Sequence, residues 1–364
     1  MNELQKKFVH GGNVYAEKPK SGEWLDFSAN INPLGLSSKI LEAVRQNIPQ
    51  IIHYPDPAGR ELKEALADFY LVPQNEIVLG NGAAELLYVY FHMFRPRRVL
   101  LPMPSFSEYE RAALSAGAEV CCHELFAAQG FTIGLDTLLP KLSEVDCLVI
   151  GNPNNPTGSL LTAAELERCV QAAAAVGTAV IVDESFIEFL PEEKDYTVRQ
   201  LVARYPNLGV LQSLTKFYAI PGIRLGFGLF SPEASARMEQ GKDPWNVNLL
   251  AQKAGVAALH DRDYQQQARR YVQNEKDYLA NALQKLAGIK VYPPTVNFIF
   301  LDLKAGGWNS AAFAQQMRRR GILIRDCANY SGLGDTFIRV AVKSHNENQQ
   351  LLDAFRDILA GGAQ

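Results

Sequence analysis

Residues 147–158 read CLVIGNPNNPTG, and two related segments follow, AVIVDE at 179–184 and GVLQSLTK at 209–216. Each contains a short apolar run that ends at polar residues. Continuous apolar runs of this length are typical of parallel strands that are buried on both faces of a sheet. Helical patterns lie between the runs, at 162–176 and 198–204. Strands that alternate with helices predict an α/β fold with a mostly parallel sheet.

The same alternation extends toward the N-terminus. Further β-rich apolar runs lie at 77–79, 98–101 and 225–230, and helical patterns lie at 60–70, 83–94 and 105–116, with another helix beginning near Ser37. Beyond about residue 240, a long helical region at 248–287 precedes short strands and helices at 296–302, 310–320, 322–325, 337–342 and 346–359. This change predicts a second, smaller α+β domain.

We therefore predict three parts. Residues 1–35, rich in Gly, Asn and Pro, form an irregular N-terminal arm. Residues 36–240 form the large domain, and residues 241–364 form the small C-terminal domain.

Composition excludes several classes of protein. The 364 residues carry a net charge of −3, which is unlike the basic balance of a nucleic-acid-binding protein. The five cysteines form no CxxC pair and the six histidines no HExxH motif, so we expect reduced thiols and no metal site. The N-terminal residues have no apolar signal-peptide core, and no apolar run approaches the ~18 residues that span a membrane. We expect a cytoplasmic protein.

Polar residues that could take part in catalysis or ligand binding follow the apolar runs in a definite order. Gly80-Asn81-Gly82 opens a helix that begins with Ala83 and Ala84. The segment NPNNPTG at 152–158 contains Asn155, and Asp183 ends the apolar run at 179–182. The apolar run at 209–211 is followed by Ser213, Lys216 and Arg224. Taken singly, each is commonplace: a surface lysine, a turn or a helix cap. In parallel sheets, however, strand ends meet at one edge, where ligands bind.

Pyridoxal 5′-phosphate chemistry requires this set of groups. It needs a lysine that forms an imine, which Lys216 can supply, and a carboxylate at the pyridine nitrogen, which Asp183 can supply. It needs donors around the cofactor phosphate, here a helix N-terminus, a hydroxyl and a guanidinium. An aromatic ring to stack on the cofactor is available in Phe106.

Five segments extend this pattern: HGGN at 10–13, DFSANINPLG at 26–35, SLTKFYAIPGIRLG at 213–226, PWNVN at 244–248 and ILIRDCANY at 322–330. With them the chain resembles, from about residue 10 to 355, the fold-type I pyridoxal-phosphate enzymes of the histidinol-phosphate aminotransferase branch. Within that branch it is similar to the L-threonine O-3-phosphate decarboxylases of cobalamin biosynthesis. The aminotransferases usually have Tyr three residues after the aspartate, where this chain has Phe186, and they usually lack HGGN.

The resemblance implies a fold and a set of roles. It implies a seven-stranded, mostly parallel sheet between helices, and a homodimer. For the cofactor it implies Lys216 and Asp183 as catalytic residues, Asn155 at the ring oxygen, Phe106 on the ring, and Gly82, Ala83, Ala84, Ser213, Arg224 and the other subunit's Tyr54 at the phosphate. For the substrate it implies Arg339 at the carboxylate, with Arg325, His10 and Asn32 at the phosphate; Asn155, Tyr109 and Tyr218 are further contacts.

The implied reaction is decarboxylation of L-threonine O-3-phosphate to (R)-1-amino-2-propanol O-2-phosphate for the cobalamin nucleotide loop. Three alternatives stay open: a histidinol-phosphate aminotransferase, a decarboxylase of L-serine O-phosphate, and a regulatory protein of this fold without catalysis. Regulatory members usually carry a DNA-binding helix-turn-helix, whereas only the arm precedes the large domain here. Outside the resemblance, Arg339 could equally be a surface residue and Arg325 a domain-interface ion pair.

Overall fold

A computed structural model describes residues 8–19 and 22–362 of the chain. The strands are β1 (Leu25–Asp26), β2 (Ile77–Gly80), β3 (Arg98–Met103), β4 (Glu119–Glu124), β5 (Cys147–Gly151), β6 (Ala179–Asp183), β7 (Leu208–Ser213), β8 (Gly226–Leu229), β9 (Lys290–Val291), β10 (Phe298–Asp302), β11 (Ile322–Leu323), β12 (Arg325–Asp326) and β13 (Phe337–Ala341). The α-helices are α1 (Ser38–Asn47), α2 (Arg60–Tyr70), α3 (Ala83–Phe94), α4 (Ser107–Ser115), α5 (Leu135–Leu138), α6 (Ala163–Val176), α7 (Leu214–Phe217), α8 (Pro232–Gln240), α9 (Leu249–Leu259), α10 (Arg262–Gln284), α11 (Ser310–Arg319) and α12 (His345–Ala360).

The main sheet has seven strands in the order β2-β8-β7-β6-β5-β3-β4. Only β8 runs against the others, since it pairs antiparallel with both β2 and β7. This confirms the predicted mostly parallel, seven-stranded sheet. In the parallel register Gly151 lies opposite Asp183, and Asp183 lies opposite Leu211. The carboxyl ends of β5, β6 and β7 therefore meet at one edge of the sheet.

Both faces of this sheet are buried. In β6, for example, Val180 and Val182 pack into one core while Ile181 packs into the other. Successive side chains of a strand point to opposite faces, so a strand that is covered by helices on both sides must be apolar at every position. This is the physical reason for the continuous apolar runs in the sequence.

The smaller sheet has four antiparallel strands in the order β12-β13-β10-β9. Its core includes Leu279, Ile299, Ile338 and Phe355. Residues of α10 contribute to this core and also to the core of the main sheet. The proposed division of the chain after residue 240 therefore stays a prediction.

The arm is not irregular throughout. β1 pairs in parallel with β11, with Leu25 opposite Ile322. Phe27, just beyond β1, is fully buried in the core of the smaller sheet. This pairing joins residues almost 300 positions apart, so the local Gly, Asn and Pro content could not predict it.

Three local predictions also need correction. The stretch 198–204 forms only a 3-10 turn, Arg199–Leu201, in which the Arg199 side chain donates to Glu193 and the Gln200 side chain to Tyr70 O at the end of α2. The helical region 248–287 is two helices, because Asp261 leaves the helical conformation between α9 and α10. β4 was missed because it is an edge strand with charged ends, so it lacks a continuous apolar run.

Within residues 8–19 and 22–362, no helix combines the length and apolar character that crossing a membrane requires. The same residues contain no cluster of His, Cys, Asp and Glu side chains suited to a metal ion.

Candidate active site

A cavity of about 510 Å³ opens at the edge where β5, β6 and β7 end. Most of the residues that the sequence singled out line it together. These are His10, Gly82, Ala83, Ala84, Phe106, Asn155, Asp183, Ser213, Lys216, Arg224, Arg325 and Arg339. The cavity therefore collects residues from the arm, the main sheet and the smaller sheet.

Lys216 lies on α7, the single helical turn that follows β7. Its Nζ is 3.3 Å from Ser213 Oγ, to which it donates, and 4.9 Å from the centre of the Phe186 ring. Burial lowers the pKa of Lys216 to about 8; Asp183 opposes this shift, whereas Arg224 and Arg339 add to it. An amine with this pKa is partly neutral near physiological pH, as imine formation requires.

This lowered pKa predicts a distinct pH dependence for modification of Lys216. In the cofactor-free protein, reductive methylation by formaldehyde and cyanoborohydride should increase with pH around a midpoint near 8. An unperturbed lysine should instead show a midpoint near ~10.4. Peptide mass spectrometry at a series of pH values measures both in one sample. A midpoint for Lys216 that coincides with the surface lysines would contradict the shift.

Asp183 is buried and is the last residue of β6. Its Oδ1 accepts hydrogen bonds from the backbone N–H and the hydroxyl of Ser185. Its Oδ2 accepts one from the Tyr109 hydroxyl at 2.7 Å. Burial, with Asp183 beside it, raises the pKa of Tyr109 well above its usual range, so Tyr109 stays a donor. These donors hold the Asp183 carboxyl group in one orientation at the cavity wall.

Three groups of the cavity lining form an anion cradle: the N-terminus of α3, Arg224 and Ser213. The first amides of a helix have no partner within the helix and bind anions readily. Two glycines make the approach possible. A Cβ on Gly82, whose φ is +88°, would lie 2.4 Å from Arg224 Nη2, and a Cβ on Gly226 would lie 2.3 Å from the Ala83 nitrogen.

Arg325 and Arg339 lie directly opposite each other on β12 and β13. Both are buried, with 6% and 5% of their surface exposed. Arg325 Nη2 donates to Val9 O at 2.8 Å and Asn329 Oδ1 at 2.6 Å. Arg339 donates to the Asn155 side chain and, at 3.0 Å, to Ser28 O, while its Nε has no partner among the described residues.

Neither guanidinium forms a salt bridge with a carboxylate in the described part of the chain; both bond only to neutral oxygens. Like charges opposite each other in a sheet are destabilising, and a buried unpaired charge costs several kcal/mol. Two such cations in one cavity therefore indicate an anionic ligand.

Two predicted site residues do not line the cavity, judged over the described residues. The Asn32 side chain is buried and bonded to the backbone, donating to Phe217 O at 2.7 Å and accepting from Leu34 N at 3.1 Å. In this structure the Asn32 amide bonds to α7, the turn that carries Lys216, and its predicted contact with substrate stays a prediction. Tyr54 is 77% exposed and stacks on Trp245. Its predicted role in a second subunit stays a prediction.

Two further residues need comment. Tyr218 is fully buried against Phe217 and Tyr264 and is not among the cavity-lining residues, so its contact with substrate stays a prediction. Tyr109 lines the cavity, as predicted, but its hydroxyl is committed to Asp183. Phe186, noted only as a departure from a pattern, forms the apolar wall beside Lys216.

Other lining residues were missed. Ser28, Ser185 and Tyr330 belong to this group. Ser185 had a usable signal, since a serine two residues after an aspartate can donate back to it. Tyr330, whose hydroxyl is 3.2 Å from Asn155 Oδ1, lay inside the quoted segment ILIRDCANY.

The donor set fits pyridoxal phosphate. The anion cradle suits its phosphate, the fixed Asp183 carboxylate suits its ring nitrogen, and the Lys216 amine suits its aldehyde. The Phe106 ring on the cavity wall provides an aromatic face.

Comparison with known proteins identifies the family of the chain. Residues 22–355 match the aminotransferase class I and II family. A threonine-phosphate decarboxylase from Salmonella typhimurium is 37% identical over 359 residues, which cover 97% of either chain. The solved histidinol-phosphate aminotransferase of Clostridium acetobutylicum is 30% identical with a TM-score of 0.86, covering 92% of this chain and 99% of its own.

A second solved structure is the L-threonine-O-3-phosphate decarboxylase of Porphyromonas gingivalis, with 28% identity, a TM-score of 0.80, and the same coverage of 92% and 99%. The family match spans nearly the whole chain, including every cavity-lining element of the two sheets. The chain therefore belongs to the aminotransferase class I and II family, whose cofactor is pyridoxal phosphate.

Proposed function

We propose that this chain decarboxylates L-threonine O-3-phosphate, giving carbon dioxide and 1-amino-2-propanol O-2-phosphate for cobalamin biosynthesis. The observation that carries the proposal is the pair of buried arginines, Arg325 and Arg339, that face each other across β12 and β13 with no carboxylate partner in the described part of the chain. A small amino acid that bears both a carboxylate and a phosphate neutralises both guanidinium groups at once.

Pyridoxal phosphate, when bound, supplies the electron sink for the charge left at Cα after carbon dioxide departs. Asp183 would keep its ring nitrogen protonated, and the anion cradle would hold its phosphate. Asn155, already bonded to Arg339 and Tyr330, would contact its ring oxygen. Asn155 thus connects the cofactor end of the cavity to the substrate end.

The two arginines also suit the choice of bond. Loss of carbon dioxide, rather than of the Cα proton, would depend on how the protein orients the substrate carboxylate at the cofactor. Arg339 would bind the carboxylate, while Arg325 and His10 would bind the phosphate at the other end of the substrate. Binding energy from the non-reacting phosphate would thereby fix the rotation about Cα and select decarboxylation.

Lys216 or a water molecule would return a proton to Cα. With a pKa of about 8, the Lys216 amine can both carry and release a proton near neutral pH. The Phe186 ring beside Nζ offers no competing hydroxyl. The Phe186 ring packs in turn against Phe298, with 5.2 Å between the two ring centres.

Comparing substrates tests the proposal. The holoenzyme is mixed with L-threonine O-3-phosphate, L-serine O-phosphate and L-threonine, and carbon dioxide release is measured. We expect the first to react best and L-threonine, without a phosphate, to lose at least about 100-fold in kcat/KM. L-Serine O-phosphate lacks one methyl group, worth ~1–3 kcal/mol, so it should react more slowly. Equal rates with and without phosphate would contradict the proposed substrate.

The second candidate is a histidinol-phosphate aminotransferase, favoured by the TM-score of 0.86 to a solved enzyme of that name. Histidinol phosphate has a phosphate but no carboxylate. While it occupied the cavity, it would therefore leave Arg339 without an anion. Phe186 also replaces the tyrosine that is usual in that group. We therefore prefer the decarboxylase.

A homodimer completes the proposed site, with Tyr54 reaching the cofactor phosphate of the other subunit. Exposed apolar residues support this arrangement. Ile51, Ile52 and Tyr54 are 60%, 80% and 77% exposed, next to Trp245 at 45%. Large apolar side chains concentrated in this way are typical of protein interfaces. We further propose that the enzyme is cytoplasmic.

Replacing Ile52 with Asp should disrupt this dimer. A charge within a buried apolar contact has no partner and must be desolvated, so the variant should sediment as a 40.3 kDa monomer with weakened cofactor affinity. Sedimentation velocity and cofactor titration measure the two effects. Phe126→Asp, an exposed aromatic position elsewhere, is the matched control and should stay dimeric. An Ile52→Asp variant with unchanged mass in solution would refute this interface.

A further inference from the structure

The segment Val9–Gly12 of the arm, here called the strap, is attached to the cavity wall at three points. Val9 O accepts hydrogen bonds from Arg325 Nη2 at 2.8 Å and Asn329 Nδ2 at 3.0 Å. His10 Nε2 lies 2.7 Å from Glu108 Oε1. Gly12 N donates to Ser28 Oγ at 2.7 Å. The strap therefore contacts Arg325 of β12 directly and is also bonded to Glu108 of α4 and to Ser28.

His10 is held by an acceptor that is itself fixed. Glu108 is buried, and its other carboxylate oxygen accepts from the Tyr88 hydroxyl at 2.7 Å. Burial raises the pKa of Glu108, but the hydrogen bonds from His10 and Tyr88 outweigh this and leave the pKa below its usual value. Glu108 is thus an ionised, immobile anchor for the His10 end of the strap.

Gly11 has no room for a side chain. A Cβ at this position would lie 2.2 Å from Ser28 O and 2.8 Å from Ser28 C. Both are backbone atoms, so a rotamer change cannot relieve the clash. The φ angle of Gly11 is not in the left-handed region, unlike that of Gly12. Close approach, rather than backbone conformation, is therefore what requires glycine at position 11.

The carbonyl that Gly11 approaches is the one that holds Arg339. Ser28 O accepts the hydrogen bond from Arg339 Nη2 at 3.0 Å. Ser28 is otherwise fixed by Asp26 Oδ1, which accepts from its backbone N–H at 2.8 Å and its hydroxyl at 2.6 Å. The position of the strap and the position of Arg339 are thus connected through one carbonyl group.

We propose that Gly11 is a positioning residue for Arg339, and that the strap aligns Arg325 and Arg339 as one unit by contacting the first directly and the second through the Ser28 carbonyl. This inference rests on the proposed function, in which the two arginines bind the two ends of one substrate. The distance between those ends is set by the substrate, so the two guanidinium groups must be placed relative to each other. A misplacement of about 1 Å can cost about 100-fold in rate.

A double-mutant cycle tests this coupling. Gly11→Ala forces Ser28 O or the strap to move, and Arg339→Lys removes the guanidinium bonded to Ser28 O. For decarboxylation of L-threonine O-3-phosphate by the holoenzyme, we expect Gly11→Ala alone to lower kcat/KM by about 100-fold, with both a lower kcat and a higher KM. In the Arg339→Lys background, Gly11→Ala should lower kcat/KM by a clearly smaller factor, because the guanidinium that Gly11 positions is gone.

Gly334→Ala is the matched control, since a Cβ there meets nothing within 4 Å and the backbone is not left-handed. It should leave KM unchanged. Gly11→Ala behaving like this control, or losses that multiply independently in the cycle, would overturn the proposal. If wild-type enzyme releases no carbon dioxide, the proposed function has failed before any variant is compared.

A second variant keeps the test decisive if Gly11→Ala does not fold. Ser28→Ala keeps the carbonyl that holds Arg339 but removes the hydroxyl that anchors Gly12. The variant loses two hydrogen bonds, the one from Gly12 N and the one to Asp26 Oδ1. At ~0.5–1.5 kcal/mol for each bond, loss of the strap bond alone should raise KM by about 2- to 13-fold. An unchanged KM in this variant would refute the role of the strap.

Discussion

Replacing Lys216 with Ala is expected to lower turnover of L-threonine O-3-phosphate by at least about 10⁴-fold, since it removes the amine that we propose to hold the cofactor and to return a proton to Cα. The protein should still fold, because Lys216 Nζ makes only one hydrogen bond, to Ser213 Oγ at 3.3 Å, among the described residues. Removing a buried amine also removes its desolvation cost, so thermal stability should not fall. Initial rates and thermal unfolding measure the two expectations.

Lys276→Ala is the matched control for this variant. Lys276 is also buried, and burial lowers its pKa as well, but it bonds to Gln273 and Thr295 outside the cavity lining. Its loss should leave the turnover of folded enzyme within about threefold of wild type. Full activity of Lys216→Ala would refute the assignment of the catalytic lysine.

Replacing Arg325 or Arg339 with Gln is expected to show which end of the substrate each arginine binds. Losing one partner of a buried charge pair costs ~2–5 kcal/mol, so kcat/KM should fall by roughly 30- to several-thousand-fold. Arg325→Gln should also abolish most of the preference for L-threonine O-3-phosphate over L-threonine. Arg339→Gln should impair both substrates, because both carry the carboxylate.

The stability of these variants provides an independent measurement. Arg325 and Arg339 repel each other in the protein without ligand, so removing one charge offsets part of the loss of its hydrogen bonds. Thermal unfolding should therefore change little, while activity falls steeply. Arg356→Gln, at an exposed arginine that bonds Asp353, should alter neither. An Arg325→Gln variant that still discriminates fully against L-threonine would contradict the phosphate assignment.

The sequence predicted the main sheet and the edge of the sheet at which the cavity opens, because both depend on local patterns. A strand covered on both faces is apolar throughout, so its first polar residue marks the edge where Asp183 ends β6 and Lys216 follows β7. The parallel register then brings these residues together without further information. The resemblance to a family assigned roles to residues, such as Arg325, that pattern alone left ambiguous.

The remaining features depend on contacts between distant segments. Asn32 was predicted to contact the substrate phosphate, but the direction of its side chain depends on a hydrogen bond to Phe217 O, 185 residues away. The antiparallel register that sets Arg325 opposite Arg339 is likewise absent from any local pattern. The same holds for β1, whose two residues become a strand only because β11 lies beside them.

The proposed reaction is tested most directly by its products. Purified holoenzyme is mixed with L-threonine O-3-phosphate, and separately with histidinol phosphate and 2-oxoglutarate, while carbon dioxide and glutamate are measured in both. We predict carbon dioxide from the first mixture and no glutamate from the second. Glutamate without carbon dioxide would contradict the proposal and identify the chain as an aminotransferase.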